Sequence, residues 1–225
     1  MMRFFVNKKE KDYFLLDQKI LQHIKVARIQ NKDFICVFSQ EFYVCSLENN
    51  LAKIKYKLDS NHEFKNKIYL AAAIINIKRY EWLIQKATEL GVTDFIPVIS
   101  QYCELKNISK IENKLERWQT IALGAAEQSF RNKTMQIHHP TKFDDVINLN
   151  ITNKFIAHEK ISTNQQKIDY PTDSIFLVGP EGGFSDEEIS KSEKKGFQVV
   201  SLGKRILRAE TAAIYLLSKI FEKEE

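Results

Sequence analysis

Near its carboxyl end the chain twice runs a short apolar stretch into a glycine bend and then opens a helix, and two such turns facing one another can build a ligand pocket from backbone. The first, Ser174–Phe184, reads SIFLVGPEGGF, and the second, Val199–Ala213, reads VVSLGKRILRAETAA. A continuous apolar run stopped by Gly179-Pro180 has the pattern of a buried strand. Past Gly182-Gly183 the signals of a helix start are complete. Ser185 stands at the N-cap with Glu188 three residues on, a capping box, and Phe184 and Ile189 have the spacing of a hydrophobic staple. Lys194 and Lys195 fall in the last turn and Gly196 just beyond it, where cations and glycine suit a helix end.

A glycine bend between strand and helix is the usual phosphate cradle. This one carries neither the P-loop nor the dinucleotide-binding glycine pattern. Glu181 stands inside the bend, and Asp186, Glu187 and Glu188 crowd the helix start. Those carboxylates repel a di- or triphosphate and favour a neutral or positively charged ligand; the bland alternative is a tight turn that uses glycine for its backbone freedom. In the second repeat, Gln198–Leu202 is expected to be a strand ended by Gly203, and Lys204–Ile220 a helix with an apolar stripe. Arg205, Arg208 and Glu210 would then lie in its first turns, where the helix dipole disfavours cations. An arginine so placed often has a partner or a substrate anion, although a solvated or salt-bridged arginine is the commoner case.

The rest of the chain divides in two. Residues 1–68 hold alternating runs, Phe34–Phe38, Phe42–Leu47 and Leu51–Leu58, separated by polar turns, which predicts a small β-rich domain. The polar stretch Asp59–Lys67 is the expected connector. Residues 69–225 alternate strands with helices: Ile68–Ile75, Lys78–Leu90 closed by Gly91, Phe95–Ser100, a long helix Ser109–Phe130, and Phe155–His158. Alternation of this kind predicts an α/β fold with a mainly parallel sheet. A net charge of +5 is compatible with nucleic acid binding without demonstrating it. Cys36, Cys45 and Cys103 are odd in number and lack metal spacing, so they read as buried thiols of a reducing cytoplasm. The apolar run near Ile68–Ile77 is too short to cross a bilayer, and the N-terminus lacks the apolar core of a secretory signal. His138-His139 has no companion ligands nearby, so no metal is expected. His158-Glu159 follows a strand, either at a pocket rim or on the surface.

The motifs GPEGGFSDEE and LGKRILRAETA together resemble the C-terminal half of the RsmE-type ribosomal RNA methyltransferases, a branch of the SPOUT superfamily. Lys86–Val92 followed by Ile96-Pro97 is similar to that family's KATELGV and IP elements, and Ala125–Ser129 with Arg131 to its AAEQSxR segment. Arg3-Phe4-Phe5, His23 and Arg28 resemble its N-terminal elements, so the resemblance spans almost the whole chain. It implies a parallel-sheet domain with a deep trefoil knot, made by the GPEGG loop, the Ser201–Gly203 turn and the segment Ile206–Thr211. A small N-terminal β-barrel of PUA or OB type would precede it and bind RNA. The implied cofactor is S-adenosylmethionine, held by Leu177, Val178, Gly179, Pro180, Glu181, Gly182 and Gly183, and by Ser201, Leu202, Gly203, Ile206, Leu207, Arg208, Thr211 and Ala212. Its sulfonium cation and lack of phosphate agree with the acidic bend. The implied acceptor is N3 of a uracil in 16S ribosomal RNA on the assembled 30S subunit. Arg208 would stabilise the developing charge, and Glu210, Glu181 or water would serve as base. Arg3, His23, Arg28 and Arg131 would contact RNA, in a cytoplasmic homodimer. Another RNA acceptor, or a non-catalytic assembly factor, is the alternative.

Overall fold

Alternating apolar residues in the first sixty positions build a six-stranded sheet. In the computed structural model, which describes residues 1–104, 107–158 and 170–220, it comprises β1 (Arg3–Phe5), β2 (Lys9–Glu10), β3 (Tyr13–Leu15), β4 (Phe34–Phe38), β5 (Glu41–Glu48) and β6 (Leu51–Leu58), with helix α1 (Gln18–Val26) between β3 and β4. The strand order is β1-β4-β5-β6-β3-β2, antiparallel throughout except for β1 on β4. Ser39-Gln40 and Asn49-Asn50 join the central strands as two-residue turns with positive φ at both positions, which matches the twist of a tight hairpin. Both faces of β4 are covered. Phe34 and Cys36 pack with Phe4, Phe14 and Ile24 of α1, while Ile35 and Val37 pack with Phe42, Val44 and Phe130. Helix α1 was not anticipated in a β-rich domain. Asp17 caps it by accepting the Ile20 N–H at 2.8 Å, and Arg28, at φ +54°, ends it.

The parallel sheet starts at Ile68. In chain order its region holds β7 (Ile68–Ala73), α2 (Ile77–Glu89), β8 (Asp94–Ile99), α3 (Ile108–Glu112), α4 (Leu115–Gln128), β9 (Gln136–Ile137), β10 (Thr141–Lys142), α5 (Phe143–Ile147), β11 (Asn153–Ala157), β12 (Ser174–Val178), α6 (Asp186–Lys194), β13 (Gln198–Val200) and α7 (Ala209–Leu217). The strands run β10-β8-β7-β12-β11-β13, with β9 also on β8, and every pairing is parallel. Helices cover both faces, as a parallel sheet with continuous apolar strands requires. One face buries Leu70, Phe95 and Phe176 against Tyr80, Trp118 and Leu216; the other buries Ile96, Ile175 and Leu177 against Phe143, Val146 and Ile189. Tyr80 closes the first of these by donating its hydroxyl to the Ala72 carbonyl at 2.8 Å.

Three expectations need correction. The two units are Met1–Glu63 with Leu123–Thr134, and Phe64–Ala122 with Met135–Glu225. The divide expected after residue 68 therefore falls at Glu63, because Ile68 already pairs with Ser174 in the parallel sheet. Leu123–Thr134 groups with the N-terminal strands through long-range contacts such as Phe130 against Phe42, with ring centroids 4.9 Å apart. The single helix expected over Ser109–Phe130 is two, parted at Asn113-Lys114, and Phe130 has a left-handed backbone that ends the second. The helix expected over Lys204–Ile220 begins only at Ala209. Arg208 is its N-cap in extended conformation, and residues 201–208 form no regular element. Ile206, counted in the apolar stripe, is 82% exposed: its period was helical but its backbone is not.

Candidate active site

In an open parallel sheet, ligands bind in the crevice beyond the carboxyl ends of the strands. Register places those ends together, since Val178 pairs with Ala72, Ala73 with Val98, Ile156 with Leu177 and Ala157 with Val200. From β7 the chain delivers Arg79 in the first turn of α2, from β8 Tyr102, and from β11 His158. From β12 comes the bend 178–186, and from β13 residues of the segment 202–209. Together they line a cleft of about 550 Å³, the size of a small-molecule site.

The first bend is shaped by what its glycines lack. A Cβ on Gly179 would stand 3.0 Å from the Gly183 carbonyl carbon, and one on Gly182 3.3 Å from Cβ of Tyr102. Gly183 has φ +70° and donates its N–H to the Pro180 carbonyl at 2.9 Å. The loop therefore folds on itself and presents backbone to the cleft. The expected capping box is present: the Ser185 hydroxyl accepts the Glu188 N–H at 3.2 Å, and the Glu188 carboxylate accepts the Ser185 N–H at 3.0 Å. The other oxygen of Glu188 accepts the Gln101 N–H at 2.8 Å, so the same acid ties α6 to the segment that carries Tyr102. Glu187 pairs with Lys191 at 3.0 Å. Glu181 faces Arg79 at 3.6 Å.

Of the residues proposed to hold a cofactor, Val178, Gly179, Pro180, Glu181, Gly182, Gly183, Leu202, Gly203, Ile206, Leu207, Arg208 and Ala212 line this cleft. Leu177, Ser201 and Thr211 do not. Leu177 is wholly buried in the sheet core, Ser201 precedes the bend, and Thr211 points to solvent from α7. Glu210, expected as a base, is also outside the lining. It is 7% exposed and turned toward Arg79, Oε1 to Nε 3.9 Å. Arg208 reaches the cleft from the N-cap of α7 and forms no ion pair among the described residues. Arg79 and Tyr102 were missed, and His158 was weighed as a rim residue and stands there; Glu159 lies outside the described residues. The signal for all three was their position just after a strand of a parallel sheet, not their residue type.

The expected RNA contacts divide two and two. Arg3 donates to the carbonyls of Glu127 and Gln128, the latter at 2.6 Å, with its guanidinium 4.6 Å over the Phe130 ring. It satisfies the carbonyls that the end of α4 leaves open. Arg131 is 3% exposed and forks onto Glu63, Nη2–Oε2 2.5 Å and Nε–Oε1 3.1 Å. Both arginines hold the first unit together; Arg131 is withdrawn from solvent by its pair, whereas Arg3 keeps part of its surface. His23 on α1 and Arg28 just past its end are exposed. The lysines of β6 are spoken for: Lys53, Lys55 and Lys57 pair with Glu48, Asp33 and Glu41. Burial pushes the Glu127 carboxyl up to about 7, against the pull of the Phe5 N–H and Arg3.

Among the described residues no cluster of His, Cys, Asp or Glu has the makings of a metal site, and His138 pairs instead with Asp94 at 2.8 Å. The three cysteines are buried and unbridged. No described helix is long and apolar enough to cross a membrane.

A parallel sheet whose carboxyl edge holds a cleft walled by two glycine bends defines an α/β domain with a small-molecule site, and comparison with known proteins gives the class. A family model for the RNA methyltransferase domain matches residues 62–221. Ribosomal RNA small subunit methyltransferase E of Mesomycoplasma hyopneumoniae is 46% identical over 223 residues, covering 97% of this chain and 98% of that protein. The crystal structure of ribosomal RNA small subunit methyltransferase E from Neisseria gonorrhoeae bound to S-adenosyl methionine has a TM-score of 0.86 at 28% identity, covering 97% of this chain and 95% of that one. A Legionella pneumophila protein solved in complex with the same bound cofactor has a TM-score of 0.85 at 32% identity, covering 96% of this chain and 95% of that one. The chain belongs to the ribosomal RNA small subunit methyltransferase E family.

Proposed function

We propose that this chain transfers a methyl group from S-adenosylmethionine to N3 of a uracil in small-subunit ribosomal RNA, on the assembled 30S particle in the cytoplasm. The observation that carries the reading is the cleft itself, walled by the backbone of two glycine bends with Glu181 at its edge. The residues fit the cofactor's chemistry, because side chains at Gly179 and Gly182 would crowd the bend and the lining carries the acids Glu181 and Asp186 beside its backbone, which suits a sulfonium cation. When bound, the cofactor supplies an electrophilic methyl on a sulfonium. The bend 179–183 would hold it from one side and Leu202, Gly203, Ile206 and Leu207 from the other.

Alignment of acceptor and methyl supplies much of the rate in a displacement of this kind. Neutral uracil N3 carries a proton and is a poor nucleophile. Arg208, at the cleft with no carboxylate partner among the described residues, stabilises the charge that spreads onto the ring oxygens as the proton leaves. Arginine stays protonated, so the base is another group. Glu181 borders the cleft and is half-exposed, which makes it, or water, the base in place of Glu210. His23 and Arg28 give the first unit an exposed basic edge for RNA. The homodimer and the trefoil knot through residues 201–211 belong to the same reading. Arg208→Ala tests it. Methylation of 30S subunits at saturating cofactor is expected to fall by about 10² to 10³, with cofactor binding measured separately by calorimetry. Methylation near the wild-type rate would overturn the role, and loss of any nucleoside other than N3-methyluridine in mass spectrometry of a deletion strain would overturn the acceptor.

A further inference from the structure

The mechanism above leaves Arg79 without a task, although it lines the cleft. It comes from a third segment, the first turn of α2, and faces the other two. Its Nη1 is 3.6 Å from Oε1 of Glu181 in the bend after β12, and its Nε is 3.9 Å from Oε1 of Glu210 in the first turn of α7. An exposed ion pair alone contributes little. Glu210 is different, since its side chain is only 9% exposed and Arg79 is the one described cation within ion-pair distance. A carboxylate withdrawn from water is destabilising unless an opposite charge meets it. The planar fork of a guanidinium can address two carboxylates at once, which a lysine cannot.

We propose that Arg79 is a positioning residue that clamps the bend after β12 to the start of α7, holding the two walls of the cleft at the spacing the methyl donor needs. The inference rests on the reading of this cleft as the S-adenosylmethionine site. Because α7 begins at the Arg208 N-cap, the clamp also sets where the second wall turns into helix. It acts through Glu181 and Glu210 on backbone that touches the donor. Its loss therefore weakens donor binding without removing a group from the reaction.

A double-mutant cycle on the full chain tests this. Arg79→Gln and Glu210→Gln should each raise the calorimetric Kd for S-adenosylmethionine by about tenfold, and the double variant should be no worse than either, as for two members of one contact. The donor KM rises in step, and kcat at saturating donor falls by less than the affinity does. Lower thermal stability with an unchanged donor Kd would overturn the clamp, as would effects of the two substitutions that simply add. Should Arg79→Gln fail to fold, Arg79→Lys runs the same cycle, expected to keep the charge but lose part of the affinity. A wild-type chain that binds no S-adenosylmethionine defeats the reading of the site; a wild type that binds it as tightly as Arg79→Gln defeats the clamp alone.

Discussion

The buried pair Arg131–Glu63 offers the sharpest test of how this chain is held together, because the sequence motif around Arg131 points to RNA instead. Both side chains are 4% exposed, and they meet through two contacts of 2.5 and 3.1 Å. One oxygen of Glu63 also accepts the N–H groups of Asn132 and Lys133, at 2.9 and 3.0 Å. Arg131→Met removes the cation and leaves the carboxylate buried with only those amides. Breaking a buried pair from one side costs about 3–5 kcal/mol, a large share of the roughly 5–15 kcal/mol that stabilises an ordinary domain. Glu63→Ala should fall at the upper end of that range, since it strands the guanidinium and both amides together. Urea denaturation followed by far-ultraviolet circular dichroism measures each cost. In parallel, the salt dependence of binding to 30S subunits reports phosphate contacts, each adding about 0.7 to 0.9 to the slope of log K against log salt. The expected result is a marked loss of stability with the slope unchanged well below the melting transition. Full stability with a slope smaller by one contact would refute the structural role and return Arg131 to the RNA surface.

Glu127 makes a prediction about pH. Burial raises its carboxyl from 4.5 to about 7 in the folded chain, so the folded state binds a proton that the unfolded state has already released. Its contribution is complete below pH 4.5 and disappears as pH rises through about 7. Stability should drop across that window by about 1–2 kcal/mol, after discounting for its partial exposure, and Glu127→Gln should flatten the profile; a wild-type profile already flat there would contradict the burial effect. Gly179→Ala places a methyl 3.0 Å from the Gly183 carbonyl carbon. Cofactor affinity should be lost with the circular dichroism spectrum intact, and retained affinity measured by calorimetry would show that the bend does not need its self-contact.

Much of the architecture was legible before any fold was in view. The α/β alternation, the hairpin strands Phe34–Phe38 and Leu51–Leu58, and the capping box Ser185–Glu188 are statements about backbone preference within a turn or two, and all three stand. Of the twelve residues proposed for the cofactor that line the cleft, eleven lie on or beside the two bends that the glycines mark, and Ala212 reaches it from α7. Where local pattern misled, it did so through side chains. The apolar period of residues 206–220 extended a helix across backbone that is irregular up to Arg208. Nor could local pattern show that Arg3 closes a helix end and that Arg131 is interred with Glu63.

Sequence alone determined most of the strands, the two bends and the capping box, because helix caps, strand runs and glycine turns are set by neighbours along the chain. Only the tertiary structure decided which side chains meet. Arg79 precedes Glu181 by a hundred residues, yet parallel pairing of β7 with β12 brings the ends of those two strands to one edge, and there its charge finds both Glu181 and Glu210. Partners of that kind are chosen by strand order, which no stretch of local pattern encodes.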